Sequence, residues 1–172
     1  MSAAVNRQIL LVETPKGKLG AEHFRLAEAA VPVPQDGELL LRTPLHLARC
    51  CQRAWMQGAT YRSAVEAGTV MAGGAVAEVV ESKAPGFAAG DLVFGDTGWQ
   101  DYVALSARRV VKLPKLEPMT HLLSVYGIAG LTAYFGLLKC GRPKEGETVA
   151  VSAAAGSVGS LVGRSPRSKA AR

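Results

Sequence analysis

The sequence predicts a mixed β and α/β fold: a strand-rich domain over residues 1–118, a helix with a first βα unit over 119–164, and a basic tail over 165–172. Three patterns carry this prediction. Short apolar runs alternate with Gly- and Pro-centred turns before Pro118, apolar residues recur at helical spacing after it, and a strand, a small-residue turn and a helix start follow in that order. The second domain is therefore expected to be incomplete.

The composition is that of a packed globular chain. Of the 172 residues, 48% are apolar and 20% are charged, which is enough for a hydrophobic core. This balance excludes wholesale disorder, collagen and coiled coil. A chain of this length has room for one ordinary domain, or for one domain and a piece of a second.

The strand-rich domain is predicted from five runs bounded by turn residues. The clearest turn signal, Pro34-Gln35-Asp36-Gly37, precedes one of them. Short strands at this spacing, with little helical period between them, are typical of a barrel or a sandwich. The predicted strands lie within Gln8–Val12, Glu38–Arg42, Val70–Val80, Asp91–Phe94 and Tyr102–Leu105.

The next region opens on an uncharged apolar segment, Leu122–Leu138. It lies at the lower length limit for a membrane span, but it contains three glycines and has predicted strands on both sides. These features favour a long buried helix. A strand over Glu147–Ser152, a tight turn over Ala153–Gly159 and a helix from Ser157 then make a βα unit, which Pro166 must end because its ring clashes with the preceding helical turn.

The tight turn carries the most informative motif. It matches the phosphate-binding pattern G-x-G-x-x-G with alanine in the first place, after a predicted strand and at a predicted helix start. The alternative is a turn of small residues that binds nothing. The residue that would select NAD or NADP falls about 20 positions on, past residue 172. The candidate cofactor-binding residues of the turn are Ala154, Ala155, Gly156, Ser157, Val158 and Gly159.

The charge pattern gives no support for a nucleic-acid partner. The net charge is +6, but four basic residues lie in the last nine positions; without them 16 basic residues face 14 acidic ones. The signs are interleaved and no nucleic-acid-reading motif is present. Three cysteines, two of them adjacent, form neither a disulfide framework nor a paired metal motif, which favours a reducing, cytoplasmic setting.

No catalytic or metal constellation stands out in the sequence. His23, His46 and His121 stand apart from partner ligands, so no metal site is predicted. The serines lack a nucleophile elbow, and Asp101 reads as a surface carboxylate, so no catalytic residue is assigned. Trp99 is interpreted as the aromatic anchor of a hairpin.

Seven segments spread over the chain share one resemblance. They are Val5–Gln8, Ala21–Phe24, Gly90–Val93, Gly98–Tyr102, Gly130–Leu138, Gly141–Val149 and Ala153–Gly159. Together they resemble the zinc-independent medium-chain dehydrogenases/reductases, in the branch of the leukotriene B4 12-hydroxydehydrogenases, prostaglandin reductases and curcumin reductases. This combination is far more specific than any one of its motifs.

The resemblance implies a GroES-like barrel followed by a Rossmann domain, with NADPH as the hydride donor. The implied reaction reduces the carbon–carbon double bond of an α,β-unsaturated ketone or aldehyde, a small-molecule substrate, without nucleic-acid or membrane partners. It also implies that Thr132 lies near the nicotinamide, that the turn 153–159 holds the pyrophosphate, and that the full-length enzyme can form a homodimer. Zinc-dependent relatives have Gly-His-Glu where this chain has Thr69-Val70-Met71, so zinc is not expected.

The chain departs from the family pattern at two places. Arg49-Cys50-Cys51-Gln52-Arg53 replaces an Asp-Pro-aromatic-Met-Arg run that lines the substrate pocket; a redirected specificity and a local reading-frame error would each produce it. Family members are about twice as long, and their proton-relay tyrosine and 2′-phosphate site lie beyond residue 172, so a fragment or truncated product is expected. Two alternatives are a catalytically inactive product that serves as a folded barrel or association module, and a quinone oxidoreductase.

Overall fold

The computed structural model describes residues 5–49 and 51–165, and it divides the chain into two compact units, 1–114 and 115–172. All strands belong to the first unit and the two longer helices to the second. The predicted domain boundaries at 118 and 164 stay predictions, and the tail beyond residue 165 lies outside the described residues.

Within its described residues, the first unit contains seven antiparallel strands in two sheets. β1 (Val5–Leu11) pairs with β2 (Phe24–Ala30), and the other five strands form one sheet in the order β6-β3-β4-β5-β7. The bounds of these five are Glu38–His46 for β3, Ala75–Ser82 for β4, Leu92–Gly95 for β5, Tyr102–Ser106 for β6 and Val110–Leu113 for β7.

One core gathers side chains from every strand of the larger sheet. Leu105 of β6 and Val110 of β7, the two edge strands, belong to the same buried cluster. A sheet brings its opposite edges to one cluster only by curving around it, as in a barrel. The predicted barrel is therefore confirmed, in the form of a GroES-like domain. The buried members of this core are Leu39, Leu41, Ala77, Val79, Val93, Leu105 and Val110.

A second core lies where β1 meets a short helix, α1 (Cys51–Trp55). Trp99 packs on its edge and stacks on Phe24 at 5.7 Å between ring centroids. It does not anchor a hairpin, because β5 and β6 on either side of it do not pair with each other. Nearby, the buried Asn6 joins β1 to β6, because its side-chain amide donates to Tyr102 O (2.9 Å) and its carbonyl oxygen accepts from Tyr102 N (2.9 Å). The buried members of this core are Leu11, Trp55, Met56, Val65 and Met71.

Each predicted strand of the first unit overlaps an observed one, with different bounds, whereas the patterns predict neither β2 nor β7. β2 has no buried residue, and its sequence, Phe-Arg-Leu-Ala-Glu-Ala-Ala, carries no continuous apolar run. It forms because all seven of its residues pair with β1. The formation of β2 therefore depends on its pairing with β1, which the local sequence pattern does not show.

The second unit corrects two predictions. The long buried helix over Leu122–Leu138 is wrong: a 3-10 turn (Met119–Leu122), the helix α2 (Ile128–Phe135) and a π-helical turn (Gly136–Gly141) take its place. Gly127 interrupts the helical path by taking an extended conformation before α2. Large apolar side chains remain exposed there, namely Val125, Tyr126, Ile128, Leu131, Tyr134, Phe135 and Leu138.

The predicted strand Glu147–Ser152 is also absent from the sheets. Within the part of the chain that the structure describes, residues 148–152 make no backbone hydrogen bond to another segment, and a strand exists only when paired. The following helix, α3 (Ser157–Arg164), forms where it was predicted. No helix among the described residues has both the length and the apolar character needed to cross a membrane.

Candidate functional site: the turn before α3

The turn predicted to bind phosphate lies at the N-terminus of α3. Gly156 is the residue before the helix, with extended backbone (φ −75°, ψ 167°), and its N–H donates to Ala153 O at 2.9 Å. Ala153 takes the left-handed conformation at φ 51°. A non-glycine residue pays about 1–2 kcal/mol for that conformation, so the surrounding contacts must hold the turn in shape.

Glycine is required at 159 because the turn folds back on the first helical turn. A Cβ on Gly159 would overlap the carbonyl oxygen of Ala153 and lie 2.9 Å from the Cα of Ala154. A Cβ on Gly156 would lie 3.2 Å from the same carbonyl oxygen, a tight contact. Gly163, one turn further, has open space around it. The motif glycines thus allow a close approach of backbone to backbone.

The electrostatics of this helix start suit an anion. The first N–H groups of a helix have no partner within the helix and carry the positive end of its dipole. No side chain caps α3, and its first turn contains no acidic residue that would repel a phosphate. Small side chains leave the N–H groups accessible. The residues present therefore fit a diphosphate group.

A cavity of about 520 Å³ opens beside the turn. Leu137 forms part of its apolar wall, and its other lining residues include Val149, Val151, Ala153, Gly156, Ser157, Val158 and Gly159. Four of the six predicted turn residues thus line one cavity. Ala154 and Ala155 do not line it; both are exposed at the tip of the turn.

Thr132 lies on α2, with an exposed side chain. Its hydroxyl donates to the Ile128 carbonyl one turn back, at 2.6 Å, and it does not line the cavity beside the turn. The structure therefore gives Thr132 a helix-surface position, with an oxygen that can still accept a hydrogen bond. Its place near the nicotinamide stays a prediction.

Residues of the unusual run at 49–53 make hydrogen bonds that hold α1 in place. Cys50 lies outside the described residues. Gln52 is buried; its Oε1 accepts from Arg49 N (2.7 Å) at the start of α1, and its Nε2 donates to Ala72 O (3.1 Å). Arg53 donates to Gly17 O at 2.7 Å. These bonds tie α1 to two separate loops.

A second cavity, of about 660 Å³, lies within the first unit and carries aromatic and charged groups. Arg62 pairs with Asp96 at 2.8 Å and lies 4.6 Å above the ring of Trp55, which Tyr61 meets edge-on. A hydrogen bond with Cys51 raises the pKa of Tyr61 above its ordinary value. The cavity is open, and polar and apolar groups share its lining.

Sequence analysis missed this second cavity because its lining residues form no motif. The only sequence signal is the cluster of aromatic and basic residues between Trp55 and Arg62. As for metals, no group of three or more potential ligands occurs among residues 5–49 and 51–165.

Comparison with known proteins agrees with this architecture. The family described as the N-terminal domain of oxidoreductase matches residues 7–113. An NADPH-dependent curcumin reductase of Escherichia coli is 43% identical over 97% of this chain and 49% of its own length. Prostaglandin reductase 1 of Bos taurus is 37% identical over 82% of this chain and 42% of its own.

A solved structure is also similar to this chain in fold. The crystal structure of CurA from Vibrio vulnificus in complex with NADPH superposes with a TM-score of 0.86 at 38% identity, covering 96% of this chain and 50% of that one. The chain thus spans about half the length of the relatives it matches. On the match over residues 7–113 and these similarities, it belongs to the medium-chain dehydrogenase/reductase family of oxidoreductases, among the relatives of the curcumin and prostaglandin reductases.

Proposed function

We propose that this chain supplies the barrel domain and the start of the cofactor domain of an NADPH-dependent reductase that acts on α,β-unsaturated ketones or aldehydes. The observation that carries the proposal is the turn before α3, where Gly159 lets the turn close on an uncapped helix start beside a cavity. The names of three relatives, an NADPH-dependent curcumin reductase, prostaglandin reductase 1 and an NADP(+)-dependent 2-alkenal reductase, support the same chemistry.

The residues of this chain would act chiefly by binding and orienting. Gly156, Ser157, Val158 and Gly159 would hold the diphosphate of NADPH through backbone N–H groups. The bound cofactor supplies the hydride that adds to the conjugated carbon–carbon double bond. Thr132 would contact the nicotinamide end.

The chain by itself is expected to bind NADPH weakly. The turn before α3 provides diphosphate contacts but only a part of the surface that a dinucleotide needs. A fluorescence titration of the 172-residue chain should show no saturable binding at micromolar NADPH. Micromolar affinity of the chain alone would contradict the proposed division of the site.

The activity is tested in a fusion of this chain to the second half of the Escherichia coli curcumin reductase, the part beyond its match with this chain. The fusion should oxidise NADPH in the presence of an enone such as curcumin. Gly159→Val should raise the Kd for NADPH at least about tenfold, a loss of about 1.4 kcal/mol, because the side chain forces the turn open. Gly163→Ala is the matched control, since open space surrounds that residue.

Two outcomes would overturn the proposal. One is a folded fusion that binds NADPH but reduces no enone, quinones being tried in parallel to detect a quinone oxidoreductase. The other is equal NADPH affinity in the Gly159→Val and Gly163→Ala variants, since the turn would then play no part in binding.

A further inference from the structure

A surface loop after α1 is held at its two ends and little bonded in between. Val65 is buried in the second core and its N–H donates to the carbonyl of Trp55 at 2.8 Å, so the ends of the loop lie close together. Within 58–64, the described residues show one backbone hydrogen bond, from Thr60 N to Arg62 O inside the loop (2.9 Å). A surface loop of this kind can open locally at a small cost in free energy. The segment 58–64 is called the strap below.

Two neighbouring side chains fasten the strap to the barrel. Arg62 pairs with Asp96 at 2.8 Å, and its guanidinium lies 4.6 Å above the ring of Trp55. Tyr61 meets the same ring edge-on, with 5.9 Å between the ring centroids, and is hydrogen-bonded to Cys51. The three partners belong to α1 and to the loop after β5. These contacts, called the latch, hold the middle of the strap against the first unit.

The latch is weak, yet it lies over groups that water reaches poorly. The side chains of Arg62 and Asp96 are 31% and 39% exposed, so solvent and salt screen their attraction. A cation above an aromatic ring near the surface adds a contribution of similar size. Beneath the latch, Trp55 is only 6% exposed and Cys51 is half-buried. Residues 61–64 of the strap also line the cavity of about 660 Å³.

We propose that the strap is a gate, which opens when the latch breaks and then uncovers Cys51 and the ring of Trp55 to small molecules. The bond between Val65 and Trp55 lies outside the latch, so the ends of the strap stay in place while its middle moves. Open space surrounds Gly58, the first residue of the strap, which leaves room for this motion. The gate lies within the first unit and does not depend on the proposed reaction.

Alkylation by iodoacetamide measures the opening of the gate in the 172-residue chain. The chain has three cysteines, so a Cys50→Ser background leaves Cys51 as the reporter and the exposed Cys140 of the second unit as the internal standard. Arg62→Gln removes the ion pair and the cation above the ring, and it should raise the ratio of the Cys51 rate to the Cys140 rate about three- to tenfold. Arg108→Gln, at an exposed arginine elsewhere in the first unit, is the matched control and should leave the ratio unchanged.

Salt gives a second measurement that needs no substitution in the latch. Raising the ionic strength from about 0.1 M to about 1 M shortens the reach of charge attraction from about 10 Å to about 3 Å. With the latch intact, the ratio should then rise about twofold, and it should rise less in Arg62→Gln. Equal ratios in Arg62→Gln and Arg108→Gln would overturn the proposal. So would a ratio that salt leaves unchanged while Arg62 is present.

Discussion

The two units of this chain differ in how completely their backbone groups are hydrogen-bonded and their apolar side chains are buried. In the described part of the first unit, seven strands pair with neighbours and apolar side chains converge on two buried cores. In the second, a strand-like segment pairs with nothing among the described residues, and α2 leaves half of its apolar surface exposed. The first unit therefore pairs its strands and buries its apolar side chains within itself, whereas the second leaves strand-like backbone unpaired and apolar side chains exposed among the described residues.

The largest expected effect on stability comes from replacing one leucine of each unit by alanine. Leu41 is fully buried in the barrel core, so Leu41→Ala should cost about 2–5 kcal/mol through lost burial and a cavity. Leu131→Ala, at a residue 53% exposed on α2, should change the stability of the chain by no more than about 0.5 kcal/mol. Urea unfolding followed by tryptophan fluorescence measures Leu41→Ala, because both tryptophans lie in the first unit. Far-ultraviolet circular dichroism, which also reports the helices of the second unit, measures Leu131→Ala. Similar losses in both variants would contradict the comparison.

A smaller effect tests how β1 is attached to the barrel. Asn6→Ala leaves the N–H and the carbonyl of Tyr102 without their partners in a buried place, which should cost about 1–3 kcal/mol. Gln8→Ala is the matched control, because the Gln8 amide makes a single bond to the side chain of Gln100. Urea midpoints of both variants measure the difference. If Gln8→Ala were as costly as Asn6→Ala, the attachment would not depend on the buried amide.

The second unit is probed by two glycines of α3. Gly159→Ala should destabilise the turn by about 1–3 kcal/mol, since the new methyl group overlaps the Ala153 carbonyl. Gly163→Ala should instead stabilise the helix by about 0.5–1 kcal/mol, because nothing surrounds that position and alanine favours helix. Hydrogen exchange of the α3 amides reads out both changes. Slower exchange in Gly159→Ala would show that the turn does not close on the helix as described.

Local patterns could predict much of the barrel, because its strands carry their own signals: apolar runs such as that around Leu39 and Leu41, bounded by glycine and proline turns. They could not predict β2, whose residues are exposed and which forms only by pairing with β1. The long helix was wrong for a related reason: Leu122–Leu138 has the composition of a buried helix, but Gly127 breaks its path and the described residues leave much of it uncovered.

The candidate site likewise has one part that the sequence could predict and one part that it could not. The turn at 153–159 could be predicted, because its geometry depends on small residues next to one another, as the contact between Gly159 and Ala153 shows. The cavity near Tyr61 could not, because its lining residues within 61–72 form no motif and only the fold brings Asp96 to them. A turn of small residues has a sequence signal, whereas a cavity along an irregular loop has none.

The smallest expected effect is a pH dependence confined to the first unit. Partial burial of His46 lowers its pKa below the ordinary value of 6.5, against a weaker opposing effect of Asp101. The unfolded chain therefore takes up the proton first, and the stability of the barrel should fall as the pH drops below 6.5. Urea midpoints by tryptophan fluorescence at about pH 7.5 and about pH 5.5 should differ less in His46→Gln than in the unmodified chain. His121→Gln, in the second unit, is the control that should keep the full difference, and an equal pH dependence in all three proteins would show that the barrel does not feel the protonation of His46.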